Sequence, residues 1–393
     1  MDGHTDRHEE AEIISLLQDA DKVTLNETMQ ELNLDDLFHD VDDRWVGPKN
    51  KTGLLNMLTK DRISDLETGS KAAIVEGLAK GWTSFGSEEP TWAGGIEEQS
   101  IRNVFLGTEG SELTDLKNTV NAGADHYDMH NLLYSDVDSP GLRAEMLEHF
   151  QEQAPTEPGS AMKPMSDIDD TFYSSLKDKR YPGKTVYPGV LAFYDELDKG
   201  PKEESPDPLG DLTYLTARPG EFTGIVKDKT HESLRERGVK EAAILVGSLG
   251  GLISHEKMAE KKYENFEQYS QIFPEYSFTW LGDSGQGDAI LGEKMMSNHP
   301  DRVKGAFIHD VVNTSPEERA TLREKGVRVF DTYLGAALEA HELGLISTEG
   351  LQRVAAATQR DLSAIDNWKS AEQKVQRQMD LDIDLARLTE ILA

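Results

Sequence analysis

The chain has 393 residues, 37% of them hydrophobic and 29% charged, which is too long for one ordinary core and predicts two or three domains. Its 41 basic and 73 acidic residues give a formal charge of −32, which repels nucleic acid phosphates and anionic bilayers at long range, so no nucleic acid partner is expected. The sequence has no cysteine, which excludes disulfides and cysteine-based zinc sites.

Residues 1–152 predict a helical domain of unknown role, because their apolar residues recur at helical intervals. Thr24 and Glu27 have the spacing of a capping box, which predicts a helix that begins after Thr24. The polar stretch 153–160 contains two prolines and a glycine and predicts a linker. Neither a signal peptide nor a transmembrane segment is recognisable, so we expect a cytoplasmic protein.

Residues 161–335 alternate short apolar runs with helical stretches, near 188–199, 221–237, 256–272, 286–298 and 316–325. This alternation predicts an α/β domain with a doubly wound parallel sheet. Residues 336–393 predict a helical C-terminal extension. The predicted strands are Ala161–Ser166, Leu212–Thr216, Ala243–Val246, Ser277–Leu281, Ala306–Ile308 and Val327–Phe330.

Polar and charged groups stand where the predicted strands end, and in a parallel sheet these ends converge on one edge. Carboxylate oxygens are the ligands that Mg²⁺ prefers, and a lysine with a hydroxyl suits a phosphate. The set therefore predicts metal-assisted phosphoryl transfer with Mg²⁺ as cofactor. Its members in chain order are Asp167-Ile168-Asp169-Asp170-Thr171, Thr216-Ala217-Arg218, Lys262 on a later helix, and Gly282-Asp283 with Asp288.

These four motifs, in this order, resemble the haloacid dehalogenase (HAD) superfamily of phosphotransferases, whose core is a Rossmann-like sheet. The residues within and around the motifs are more similar still to one family of this superfamily. They are "SDIDDT", "YLTARPG", "WLGDSGQGD", and Lys262 placed eleven residues before Phe273-Pro274. They resemble the phosphatidate phosphatase catalytic domain of the actin-patch-associated type, with lipins as more distant relatives. The resemblance covers residues 161–313 and leaves the helical N-terminal half outside.

The resemblance implies a role for each motif residue. Asp167 is the implied nucleophile, forming an aspartyl-phosphate. Asp169 is the implied general acid and base, with its backbone carbonyl on the metal. Thr216 and Lys262 are implied to bind and neutralise the phosphoryl group. The implied metal ligands are Asp167, Asp169, Asp283 and Asp288, and the predicted substrate contacts are Thr171, Arg218 and Ser284.

Three functions stay open on this evidence. The first is a Mg²⁺-dependent phosphomonoesterase that converts phosphatidate to diacylglycerol and phosphate at a membrane surface. The second is a phosphatase for a soluble sugar, nucleotide or protein phosphate. The third is an interaction protein whose helical N-terminal half is the functional part.

No large insertion lies between Thr171 and Thr216, so an open site is expected, which favours a bulky or membrane-held substrate such as phosphatidate. The loop Gly247–Gly251 is either a plain connection or a mobile rim of the site.

Overall fold

The structure is a computed structural model, and its contacts divide the chain into two compact units. The first is Met1–Ala154 with Gln271–Pro274, and the second is Pro155–Ser270 with Glu275–Ala393. The residues described are 6–41, 43, 49–80, 95–122, 128–155, 161–175, 177–202, 212–216, 232–239, 243–246 and 254–393.

The first unit is helical in its described residues, as predicted. The capping box predicted at Thr24 is wrong, because the helix begins at Lys22 and the Asp21 side chain accepts the Thr24 N–H. Asp21 is the better cap because its carboxylate satisfies a backbone donor that the first turn leaves free. The helices are α1 Arg7–Asp19, α2 Lys22–Glu31, α3 Leu34–Asp40, α4 Asn50–Asn56, α5 Thr68–Lys80, α6 Ile96–Leu106, α7 Gly110–Asn121, α8 Met129–Asn131 and α9 Pro140–Gln153.

The second unit contains a six-stranded, all-parallel sheet in the order β3-β2-β1-β4-β5-β6, which confirms the predicted α/β fold. All six predicted strands form, and the fourth and fifth are longer than predicted. Pairing of β1 with β2 starts only at Met165, one residue after Pro164, whereas β1 pairs with β4 from Met162 onward. The strands are β1 Met162–Ser166, β2 Thr213–Thr216, β3 Ala243–Val246, β4 Ser277–Asp283, β5 Val303–His309 and β6 Val327–Phe330.

The strand order reverses between β1 and β4. The chain runs outward from β1 to β3 on one side and from β4 to β6 on the other. In an open parallel sheet, ligands bind at the carboxyl ends of the strands where the order reverses. The residues that follow β1 and β4 therefore lie where this topology predicts a ligand-binding site.

Helices pack against this sheet and complete its core. Of the predicted helix at 221–237, only 232–237 lies within the described residues, and 232–235 is helical. The C-terminal helices bury Leu334, Leu351 and Leu381 in the same apolar cluster as the sheet residues Tyr214 and Phe307. The helices are α10 Val190–Lys199, α11 His255–Ile272, α12 Asp288–Asn298, α13 Pro316–Glu324, α14 Tyr333–Glu342, α15 Thr348–Ala364 and α16 Ala371–Leu392.

Candidate active site

The candidate site lies at the carboxyl ends of β1 and β4. Asp167 directly follows β1, and its backbone N–H donates to the Leu281 carbonyl of β4 at 2.9 Å. Asp283 is the last residue of β4, and Asp288 is the first residue of α12. The parallel pairing of β1 with β4 thus brings together carboxylates that are more than a hundred residues apart in sequence.

Lys262 connects two of these carboxylates. Its Nζ donates to Asp167 Oδ1 at 2.8 Å and to Asp288 Oδ1 at 2.7 Å, and all three side chains are buried. Burial would lower the pKa of Lys262, but Asp167 and Asp288 outweigh it and hold that pKa well above its usual value. The lysine therefore stays charged within the site.

Asp283 is held by the turn that follows it. Its Oδ1 accepts the Gly285 N–H at 2.6 Å, and its own N–H donates to Asp288 Oδ2 at 3.2 Å. A Cβ at Gly282 would lie 2.4 Å from the Asp288 Cβ, so glycine is required for this close approach. Both Asp288 oxygens are thereby engaged, one by Lys262 and one by the Asp283 backbone.

The site carries more negative charge than its lysine can balance. Burial, aided by repulsion from Asp288 and Asp169, raises the pKa of Asp167 to about 7 although Lys262 opposes the shift. Burial, Asp288 and Asp167 raise the pKa of Asp283 well above its usual range. Since an ionised group in an apolar interior needs a partner, this excess favours a bound cation.

The donor set fits a hard cation. One carboxylate oxygen from each of Asp167, Asp283 and Asp288 lies within 4.8 Å of the others. Asp167 Oδ2 is buried and has no hydrogen-bond partner, so it is free to act as a ligand. Clustered carboxylate oxygens of this kind suit Mg²⁺ and other divalent ions that prefer oxygen ligands.

The family comparison covers the segment that holds this geometry. Residues 162–310 match the family model of the phosphatidate phosphatase APP1 catalytic domain. This match confirms the resemblance drawn from the motifs and supports a phosphatase of the phosphatidate phosphatase type. No curated protein and no solved structure matches the chain. The matched segment contains Asp167, Lys262, Asp283 and Asp288, and residues Met1–Ala154 of the first unit lie outside it.

Two further predicted residues, Asp169 and Thr216, are buried within the matched segment. Asp169 is buried, and its charge contributes to the raised pKa of Asp167. The Asp169 backbone carbonyl accepts a hydrogen bond from Gln286 Nε2 at 3.1 Å. Thr216 is the last residue of β2 and is buried. Their predicted roles in acid–base chemistry and phosphoryl binding stay predictions.

The three predicted substrate contacts have different surroundings. Thr171 is fully buried, its hydroxyl has no hydrogen-bond partner, and its carbonyl accepts from Tyr333. The Ser284 hydroxyl donates to Asp310 Oδ1 at 3.1 Å and accepts the Val311 N–H, so it joins the ends of β4 and β5. Arg218 and the Gly247–Gly251 loop lie outside the described residues.

Asp170 shapes the turn beside the site. It has a left-handed φ of 63°. Its carboxylate accepts backbone N–H groups from Ser175, Lys177 and Asp178, which compensates the unusual backbone conformation. Asp170 thus fixes the loop that follows Asp167 and Asp169.

His309 was not identified from the sequence, although it ends β5 beside the site. Its Nδ1 lies 3.0 Å from the Asp170 carbonyl, and its Nε2 lies 3.0 Å from Arg180 Nη2. Arginine can only donate, so we assign the neutral tautomer with the proton on Nδ1. Burial and Arg180 lower the pKa of His309 to about 4, in agreement with this assignment. Its place at a strand end was the signal that could have found it.

Proposed function

We propose that the domain of residues 162–310 hydrolyses phosphate monoesters and that phosphatidate is its substrate. The observation that carries the proposal is the buried set of Asp167, Lys262, Asp283 and Asp288 at the reversal point of the sheet, within the segment that matches the phosphatidate phosphatase family model. The products are diacylglycerol and inorganic phosphate.

Asp167 is the proposed nucleophile. Its carboxylate oxygen attacks phosphorus while the bond from phosphorus to the glycerol oxygen breaks, which leaves an aspartyl-phosphate. Asp169 donates a proton to the departing oxygen in this step. It then accepts a proton from the water that attacks the aspartyl-phosphate, which releases phosphate and restores both carboxyl groups.

Lys262 and Asp288 are proposed to act as a unit. Lys262 is buried and charged, so it offsets negative charge on Asp167 and on the phosphoryl group. Asp288 holds the lysine through Oδ1 and the Asp283 backbone through Oδ2. We therefore propose that Asp288 chiefly positions Lys262 and Asp283 and contributes less as a direct metal ligand.

The proposed cofactor is Mg²⁺, held by side-chain oxygens of Asp167 and Asp283 and by the Asp169 carbonyl. When bound, it supplies positive charge that polarises the phosphoryl group and neutralises the carboxylates around it. The excess negative charge of the site and the unpartnered Asp167 Oδ2 support this assignment.

Two features of the described surface support a membrane-held substrate. Val312, just beyond the end of β5, leaves half of its side chain exposed. His255 and Lys257 are exposed in the first turn of α11, and a Cβ at Gly287 would lie 2.7 Å from the His255 carbonyl, so this turn borders the site. An apolar group and the Lys257 ammonium next to the site suit a lipid phosphate, and we propose that the protein acts peripherally on membranes. None of the helices in the described parts of the chain has the length and apolar character needed to cross a bilayer.

The test is phosphate release from phosphatidate vesicles and from a small soluble phosphomonoester, each with Mg²⁺ and with a chelator. We expect Mg²⁺-dependent hydrolysis of phosphatidate, and Lys257→Ala should slow vesicle hydrolysis more than hydrolysis of the soluble ester. Rapid hydrolysis of the soluble ester alone would replace phosphatidate by a soluble substrate. Failure on both, with a folded protein, would refute the phosphatase assignment.

A further inference from the structure

The side-chain amide of Gln286 lies between two oxygen atoms that the proposed function assigns to the cation. Its Nε2 is 2.9 Å from Asp283 Oδ2 and 3.1 Å from the Asp169 carbonyl oxygen. The Asp169 carbonyl oxygen can only accept, so the amide nitrogen must face it, and from there the nitrogen donates one hydrogen to each of the two oxygens. The orientation of the amide is therefore determined by its partners.

These contacts compete with cation binding. A cation held by the same two oxygens needs the lone pairs that the amide hydrogens now face. Those hydrogens carry partial positive charge and repel a cation that approaches from the same side. In the cation-free protein they also partly offset the negative charge of the Asp283 carboxylate, whose Oδ2 accepts from Gln286.

The Gln286 side chain can leave without disturbing the turn that carries it. The turn is held by other hydrogen bonds, since the Gly285 N–H donates to Asp283 Oδ1 and the Asp283 N–H donates to Asp288 Oδ2. Gly287 supplies the left-handed φ of 89° from which α12 begins. Gln286 itself is only partly buried, so its side-chain torsions can turn the amide toward solvent.

We propose that Gln286 is a gate on the cation site: its amide stands in for the cation in the cation-free protein and swings out when a divalent cation binds. This inference rests on the proposed function, which supplies the cation. Gln286 is a positioning residue by this account, because it acts on Asp283 and Asp169 and not on the substrate. Removing its amide removes the competitor and should strengthen cation binding.

The experiment uses the full chain, freed of metal, and titrates Mg²⁺ by calorimetry and by the shift in melting temperature. Gln286→Ala should bind Mg²⁺ about tenfold more tightly than the wild type, the effect expected from two lost competing hydrogen bonds. Gln286→Glu, which keeps the size of the side chain but cannot donate, should also bind more tightly. In the absence of Mg²⁺, both variants should melt at a lower temperature than the wild type. Addition of Mg²⁺ should raise their melting temperatures by more than it raises that of the wild type.

The matched control is Gln378→Ala, which removes an exposed hydrogen bond from Gln378 Nε2 to Asp382 Oδ1 of 2.8 Å in α16. It should bind Mg²⁺ as the wild type does. If both Gln286 variants bind with wild-type affinity or more weakly, the gate is wrong while the cation site stands. If Asp283→Asn binds Mg²⁺ as tightly as the wild type, the proposed cation site is wrong and the gate fails with it.

Discussion

Two buried charged clusters lie side by side in the second unit, and they differ in how their charges are balanced. The cluster around Asp167 and Lys262 has an excess of carboxylates, raised carboxyl pKa values and an unpartnered oxygen. In the cluster around Asp178, Oδ1 accepts from Arg180 Nε at 3.0 Å, and Oδ2 accepts from Arg180 Nη2 and from the Tyr187 hydroxyl. Burial would raise the pKa of Asp178, but Arg180 outweighs it and the pKa is lowered.

This difference in charge balance distinguishes a ligand-binding site, the Asp167 cluster, from a structural cluster, the one around Asp178. A buried carboxylate with all its partners in place leaves nothing for a ligand to do, and removing one partner of such a pair destabilises the fold. A buried carboxylate without them costs free energy, and the chain keeps such a group only where a ligand completes it. The comparison leads us to expect activity to depend on the first cluster and stability on the second.

The strongest test of the contrast is Asp167→Asn. An amide cannot form the acyl phosphate, so turnover should fall on the order of 10⁴-fold or more. The melting temperature without metal should stay the same or rise, because a neutral side chain removes one of the competing buried charges. Steady-state phosphate release and a thermal melt measure both effects, and near-wild-type turnover would remove Asp167 from the nucleophile's role.

Asp169→Asn should have the next largest effect on activity. It removes the group that donates and accepts the proton, a loss typically of ~10²–10⁴-fold. The loss should be smaller for a substrate with an acidic leaving group, which needs no protonation. Comparing an alkyl with a nitrophenyl phosphate measures this, and an equal loss on both esters would argue against proton transfer by Asp169.

Asp178→Asn tests the other side of the contrast. It removes the nearest charge partner of the partly buried Arg180, which then keeps Asp331 at 3.8 Å, and breaking a buried pair costs up to about 3–5 kcal/mol. We expect a marked fall in the free energy of unfolding, measured by denaturant titration. Asp382→Asn, on the exposed face of α16, should change it little. Equal stability of the two variants would mean that the Asp178 cluster does not support the fold.

The smallest expected effect is that of His309 on stability, and it should depend on pH. Its pKa is about 4 in the folded protein against 6.5 ordinarily, so between these pH values the unfolded chain binds a proton that the folded chain does not. Stability from His309 should therefore be lost as the pH falls from 6.5 to 4, by about 3 kcal/mol at most. His309→Gln keeps one donor and one acceptor but cannot titrate. Its unfolding free energy should depend less on pH than that of the wild type, and identical pH profiles would contradict the assignment.

Much of the fold and the centre of the site could be predicted from the sequence. Alternation of apolar runs with helical stretches is a local property, so the six strands were found from their own residues. Strand ends converge in any parallel sheet, which is why Asp167 and Asp283 could be expected to meet before the structure was known. The family resemblance supplied the role of Lys262, whose position in the middle of a helix carries no local sign of that role.

Other features were decided only by the tertiary structure, because they depend on contacts between distant segments. The neutral state of His309 follows from Arg180 and Asp170 on a different loop, and the engagement of both Asp288 oxygens follows from α11 and the end of β4. The position of the Gln286 amide between two predicted cation ligands depends on the turn after Asp167. Periodicity and spacing describe neighbours along the chain, whereas burial and charge balance depend on which side chains the fold packs together.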